Sequence, residues 1–236
     1  MTQDPAAAAK EYAARSAVNR HIQSGMAIGL GSGSTALFVV RALAERVKRE
    51  KLVIRACIAT SRETSDLARE LGIQVEEDLD PRFLPLDVTI DGADEADPHL
   101  NLIKGGGGAS LREKLVAVAS LREIIVVHAA KRVSRLGLTF PLPVVVVPYG
   151  WKATAQRIEK VVGRACQLRT RRGQTFVTDD GMYVLDVIPG LIEQPERLEQ
   201  DLKHIDGVVD VGLFVGIAKL LVVGHEDGRV EEFEAE

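Results

Sequence analysis

Hydrophobic and polar positions along this chain follow first a helical and then a strand-like spacing, and each change of spacing marks an element. Residues 5–24 are rich in alanine, with Tyr12, Val18 and Ile22 available for packing, and Gly25 ends the predicted helix. Met26 to Leu30 is a short apolar run, the mark of a buried strand. Gly-Ser-Gly-Ser-Thr-Ala at 31–36 then leads into a helix over about 37–50. Further strands are predicted at 52–59, 73–75, 87–90 and 124–128, with helices at 60–71 and from about 109. In the last of these helices Leu111, Leu115 and Val118 recur on one face, expected to be the packed one. Strands that are apolar throughout, alternating with helices, predict a parallel, doubly wound sheet with ligands beyond the strand C-termini. The loops at 31–36, 60–62, 91–97 and 129–131 are then expected to converge there.

After Lys131 the rhythm changes. A strand at 144–147, a helix at 152–162, strands at 165–170 and 176–187, a helix at 195–204 and a strand at 208–214 make the split βαβ pattern. The expected fold is therefore α/β: a Rossmann-like doubly wound parallel sheet in residues 1–132, completed by 214–236, and a smaller ferredoxin-like α+β lid domain at 133–213. Strands at 220–223 and 230–233 return to the first domain.

Composition narrows the picture only a little. A chain of 236 residues holds one large or two small domains. Its formal charge of −4 argues against a nucleic-acid partner. Arg169, Arg171 and Arg172 accordingly read as a solvated hairpin region. No apolar run reaches membrane-spanning length and the N-terminus lacks a signal-peptide core, so a soluble, cytoplasmic protein with no membrane partner is expected. Cys57 and Cys166, far apart in apolar segments, read as buried free thiols in a reducing compartment.

The candidate chemistry lies between Asp87 and Ser120. A buried strand delivers Asp91 and Asp94 into a turn; Lys104, four glycines at 105–108 and a helix with Glu113 in its first turn follow. Taken singly, the aspartates are ordinary turn formers and Glu113 an ordinary first-turn acid. Four consecutive glycines lose much backbone entropy on ordering, which points to close approach of a ligand. A calcium loop fails on spacing, because the Asp-x-Asp-x-Asp-Gly order is absent among acids 91, 94, 95 and 97. The segment at 31–36, a glycine turn opening a helix, is an anion site by its N–H groups and hydroxyls. It also fits Gly-x-Gly-x-x-Ala, but the following strand ends in Thr60-Ser61-Arg62 without the ribose-binding acid of a dinucleotide fold, although Arg62 suits a 2′-phosphate. The hydroxyls favour a lone phosphate, and the absence of Gly-Lys-Ser/Thr excludes a Walker loop. The five histidines show no metal-ligand spacing.

These residues resemble the A-type ribose-5-phosphate isomerases over nearly the whole chain. The resemblance rests on Gly-Ser-Gly-Ser-Thr-Ala at 31–36, Asp-Gly-Ala-Asp-Glu at 91–95, Ile-Lys-Gly-Gly-Gly-Gly at 103–108 and Arg-Glu-Lys at 112–114. Lys131, Phe140-Pro141-Leu142-Pro143 and Val177-Thr178-Asp179 fall in the same order. Ser32 stands where many members carry Thr, and the hydroxyl is kept. The resemblance implies interconversion of D-ribose 5-phosphate and D-ribulose 5-phosphate, in the pentose phosphate pathway, without a metal or organic cofactor. It implies Glu113 as the proton-transferring base, with Asp91, Asp94, Lys104 and Lys131 at the other active-site positions. Ser32, Gly33, Ser34 and Thr35 would form the substrate loop, and Gly92, Ala93, Gly105, Gly106 and Gly107 would border the sugar phosphate. A homodimer or homotetramer is also implied. The chemistry agrees: an enediolate needs one carboxylate base and cationic or N–H stabilisation of its oxygens, from Lys104 and the glycine loop. Either Asp91 or Asp94 would handle the hydroxyl proton in ring opening. Two rivals are a sugar-phosphate sensor, expected to carry a DNA-binding domain as well, and an aminosugar-phosphate deaminase, expected to place a histidine in the site, where only His99 is near.

Overall fold

The computed structural model describes residues 4–188 and 190–235; the extreme ends of the expected first domain, and Pro189 of the second, lie outside the described residues. In chain order the elements begin with α1 (Pro5–His21), β1 (Ala27–Leu30), α2 (Gly33–Glu50), β2 (Ala56–Ala59), α3 (Arg62–Glu70) and β3 (Val88–Asp91). Next come β4 (Glu95–Ala96), β5 (Leu102–Ile103), α4 (Ser110–Val118) and β6 (Glu123–His128). They are followed by β7 (Leu142–Val146), α5 (Trp151–Val162), β8 (Cys166–Leu168), β9 (Thr170–Arg171), β10 (Gln174–Thr175) and β11 (Tyr183–Val187). Last are α6 (Pro195–Lys203), β12 (Val208–Val211), β13 (Leu213–Phe214), β14 (Ala218–Gly224) and β15 (Val230–Glu234).

The chain forms two compact units. The first comprises 1–93, 112–132 and 216–236, the second 94–111 and 133–215. The sequence-based boundary had kept 94–111 in the first domain. These residues instead go with the second unit because β4 and β5 pair with each other and β5 pairs with β13.

In the first unit a six-stranded sheet runs β15-β14-β6-β3-β1-β2, parallel except for the edge pair β14–β15. Its inner strands are mainly apolar and buried, as strands covered on both faces must be, whereas the edge strand β15 is rich in glutamate and mostly half-buried. The chain leaves β1 toward β2 and then returns to place β3 on the other side of β1. The crevice between the ends of β1 and β3 is thus the switch point of the sheet. Residues 73–75 form no strand; only an isolated bridge, Ile58 to Glu76, marks the expected third strand.

In the second unit β7, β8, β11 and β12 form an antiparallel sheet in the order β12-β7-β11-β8, with α5 and α6 in the crossovers. That is the split βαβ arrangement. Its core gathers Val144, Val146, Ile158, Leu185 and Leu202. The segment 176–187 is broken by a turn at 179–181, the break that Asp179-Asp180-Gly181 predicts; β11 lies after the turn, and before it only an isolated bridge, Val177 to Tyr183, is formed.

Helix α4 departs most from its expected packing. Leu115 and Val118, read as the packed face, are 50% and 63% exposed, and Leu121 just beyond is 66% exposed. The buried stripe is Ser110, Glu113, Lys114 and Ala117, at the i, i+3, i+4, i+7 spacing of one helical face. The helix thus buries three polar side chains, with Val116 also buried on its neighbouring flank.

Candidate active site

The first unit builds an anion cradle at the switch point. Gly31 N–H donates to Ile90 O at 3.0 Å, which draws the chain leaving β1 against β3. A side chain at Gly31 would collide with the Asp91 carboxylate, so only glycine permits this approach. Asp91 Oδ1 accepts from Ser32 N–H at 3.0 Å and from Gly92 N–H at 2.7 Å. Helix α2 begins at Gly33, earlier than the expected 37, so Ser34 and Thr35 lie in its first turn, at the positive end of its dipole. Ser32 Oγ does not cap that helix; it meets Thr60 Oγ1 at 2.5 Å, while Thr64 Oγ1 donates to Gly31 O at 2.9 Å. The loop is therefore braced from the ends of β2 and β3.

Two cations accompany it. Lys131 stands on a short 3-10 turn, Ala129–Lys131, after β6. Lys10, which was not singled out in the sequence, donates from Nζ to Ser34 Oγ at 2.9 Å. Burial and then the Lys131 charge lower the Lys10 pKa from its ordinary value, and His128 nearby is lowered by burial and by both lysines. Two ammonium groups close enough to oppose each other's charge form a pocket of positive potential suited to a dianion. The signal for Lys10 in the sequence was faint: one lysine in an alanine-rich helix. Glu113, from the buried stripe of α4, also belongs to this unit.

The second unit holds Asp94, Lys104 and the glycine loop. Asp94 is half-buried, and its Oδ2 accepts from Gly106 N–H at 2.7 Å. Lys104 is 2% exposed, with Nζ 5.3 Å from the centre of the Phe214 ring, and its N–H donates to Gly212 O. Gly105 and Gly108 take positive φ, at 103° and 93°. A side chain at Gly106 would meet Asp94 Oδ1 at 2.7 Å and the Phe140 ring at 2.8 Å. Glu95 and Asp97, neighbours of the site acids, are structural. Glu95 accepts from the N–H groups of Gly137, Thr139 and Phe140 and from Thr139 Oγ1, and Asp97 accepts from His99 and Asn101. Asp97 shows the local turn chemistry of an aspartate, whereas Glu95 ties down a loop more than forty residues away.

Arg169 overturns its expected role. It is not a solvated charge: its side chain is 12% exposed, its Nε donates to Asp186 Oδ2 at 2.8 Å, and its Nη1 donates to Gly105 O at 2.7 Å. The hairpin register could have found it, since Arg169 N–H bonds to Val184 O, two residues before Asp186. Cys166, expected to be buried, is only half-buried; burial raises Cys57 to about 12 and Cys166 to about 11. Among the described residues no helix is long and apolar enough to cross a membrane.

A parallel sheet whose switch point carries a hydroxyl-lined helix N-terminus and two lysines, in a chain that also buries a glutamate, a lysine and a braced glycine loop, defines an α/β enzyme of small phosphorylated substrates. Comparison with known proteins makes this particular. The family described as ribose 5-phosphate isomerase A (phosphoriboisomerase A) matches residues 56–228. A ribose-5-phosphate isomerase A of Cereibacter sphaeroides is 49% identical over 232 residues, covering 96% of this chain and 91% of that protein. The one from Ruegeria pomeroyi is 47% identical, covering 94% and 86%. Among solved structures, the ribose 5-phosphate isomerase of Plasmodium falciparum superposes with a TM-score of 0.90 at 35% identity, covering 97% of this chain and 98% of that one. A D-ribose-5-phosphate isomerase in complex with phospho-erythronic acid gives 0.91 at 34%, covering 97% and 99%. This chain belongs to the ribose 5-phosphate isomerase A family, and it is an aldose–ketose isomerase.

Proposed function

We propose that this chain interconverts D-ribose 5-phosphate and D-ribulose 5-phosphate, in the non-oxidative pentose phosphate pathway, through an enediolate with Glu113 as the base. The observation that carries the assignment is the inverted burial of α4. Burying Ser110, Glu113 and Lys114 costs desolvation that a helix avoids unless the buried polar groups have work to do. In the mechanism, the Glu113 carboxylate takes the C2 proton as the C2–H electron pair forms the C1–C2 double bond and the C1=O π pair moves onto O1. The hydroxyl proton passes from O2 to O1, and as C2=O forms the C1–C2 π pair takes the proton back from Glu113 at C1. The Lys104 ammonium and the glycine loop stabilise the enediolate oxygens. Ser32, Gly33, Ser34 and Thr35 hold the phosphate with Lys10 and Lys131, so that proton transfer at the other end is effectively intramolecular. Asp91, buried and engaged with two backbone N–H groups, organises the phosphate loop. Asp94, more exposed, handles the hydroxyl proton in ring opening. Gly92, Ala93, Gly105, Gly106 and Gly107 border the sugar.

Side chains supply both the base and the cation, so the mechanism asks for no metal or organic cofactor. We also propose a homo-oligomer, dimer or tetramer, because Leu115, Val118 and Leu121 form an exposed apolar stripe that a second copy would cover. The two unbridged cysteines suit a cytoplasmic location. Glu113→Gln should lower kcat by about 10²–10⁴-fold with KM little changed. Ribose 5-phosphate converted in heavy water should give ribulose 5-phosphate carrying deuterium at C1, at least in part. A variant keeping a tenth of kcat would sink the assignment of the base.

A further inference from the structure

The glycine loop is held from behind by a device that the reaction itself does not call for. Arg169 is gripped by Asp186, through Nε at 2.8 Å and through Nη2, and its remaining Nη1 reaches Gly105 O at 2.7 Å and Gly106 O at 3.2 Å. The peptide between Gly105 and Gly106 is therefore secured at both ends: its carbonyl accepts from a guanidinium and its N–H donates to the Asp94 carboxylate at 2.7 Å. A trans peptide points its N–H away from its carbonyl. The next peptide, with Gly106 O turned to Arg169, thus directs the Gly107 N–H to the side opposite the guanidinium. Gly107 is exposed, and nothing lies within 4 Å of where its Cβ would stand. The Phe176 ring packs where a side chain at Gly108 would project, and Phe140 does the same at Gly106. Glu95 in turn fixes Phe140 through the N–H groups of the 137–140 loop.

We propose that Arg169, locked by Asp186, is a positioning residue that orients and polarises the glycine loop so that the Gly107 N–H stabilises the enediolate. This rests on the electrostatic role assigned above to that loop. A carbonyl that accepts from a cation leaves its amide N–H a stronger donor, and an N–H held in place before the charge develops needs no reorganisation when it does. The benefit is confined to the transition state, so its loss should fall on kcat rather than on KM.

The test uses Arg169→Lys, which keeps the charge but loses the fork, together with Arg169→Gln and Asp186→Asn, each checked for a thermal transition like that of the unaltered protein. Arg169→Gln should lower kcat roughly 10²-fold with KM within about threefold, the range seen when one oxyanion donor is lost. Arg169→Lys and Asp186→Asn should fall between it and the unaltered protein. Phospho-erythronic acid, which carries a carboxylate where the enediolate carries its charge, should bind more weakly by a factor similar to the fall in kcat. Competition by inorganic phosphate should not change. Arg172→Gly, an exposed position at φ 53° that glycine tolerates, should behave as the unaltered protein. The inference is overturned if Arg169→Gln retains kcat, if the loss falls on KM, or if the acid and inorganic phosphate weaken together. If the unaltered protein binds the acid no tighter than substrate, the electrostatic role of the loop falls and this inference with it. If it does bind the acid tighter and the Arg169 variants do too, only the inference falls.

Discussion

At the scale of single residues, the site depends on which polar atoms are committed to the scaffold. Four acids stand within seven positions, 91 to 97, and only their partners separate them. Glu95 and Asp97 spend their oxygens on backbone N–H groups of nearby loops, and Asp91 spends one on the loop at Ser32. Lys10 shows the same logic from the cationic side. Its ammonium, bonded to Ser34, is disfavoured by burial and by Lys131, so it loses its proton at a lower pH than an ordinary lysine at 10.5. As pH rises through that lowered value the positive charge disappears and phosphate binding should weaken. KM for ribose 5-phosphate is therefore expected to climb below pH 10.5, with kcat changing less. Lys10→Met should raise KM roughly tenfold at neutral pH, the worth of one charge-assisted hydrogen bond, and flatten the climb. An unchanged KM in Lys10→Met would remove Lys10 from the phosphate subsite.

At the scale of elements, α4 carries the lesson. Val116 is buried with Leu86, Ala27 and Ile58, whereas Leu115 and Val118 face outward. Val116→Ala should cost about 2 kcal/mol of stability through lost burial and a residual cavity. Leu115→Glu and Val118→Glu should leave the fold of each copy intact but shift the sedimentation profile toward monomer if a second copy covers the stripe. A profile that stays oligomeric in the double variant would place the interface elsewhere. The same helix explains why periodicity misled here. Leu111, Leu115 and Val118 are a valid apolar stripe, and hydropathy alone assigns such a stripe to the core. A face that serves chemistry is buried for another reason, and no hydrophobic pattern marks it.

At the scale of the whole molecule, the order of the six strands puts the loop after β1 beside the end of β3 in the first unit, while Asp94, Lys104 and the glycine loop belong to the second. Among the described residues no three His, Cys, Asp or Glu side chains form a group suited to a metal ion. Activity is expected to survive exhaustive treatment with EDTA; loss that is restored by adding a divalent ion would overturn the metal-free mechanism.

The sequence by itself determined the succession of strands and helices, the change of rhythm after Lys131, and the segments at 31–36, 91–95, 103–108 and 112–114. Those features are local: hydrophobic spacing, glycine runs and caps act within a few residues of themselves. What only the tertiary structure decided was pairing across distance. Residues 94–111 join the second unit because β5 pairs with β13 more than a hundred positions later; Lys10 meets Ser34, and Arg169 leaves the solvent for Asp186 and two glycine carbonyls. A charged side chain reads the same in sequence whether water or a buried carboxylate surrounds it, and the difference is made by chain brought together from far away.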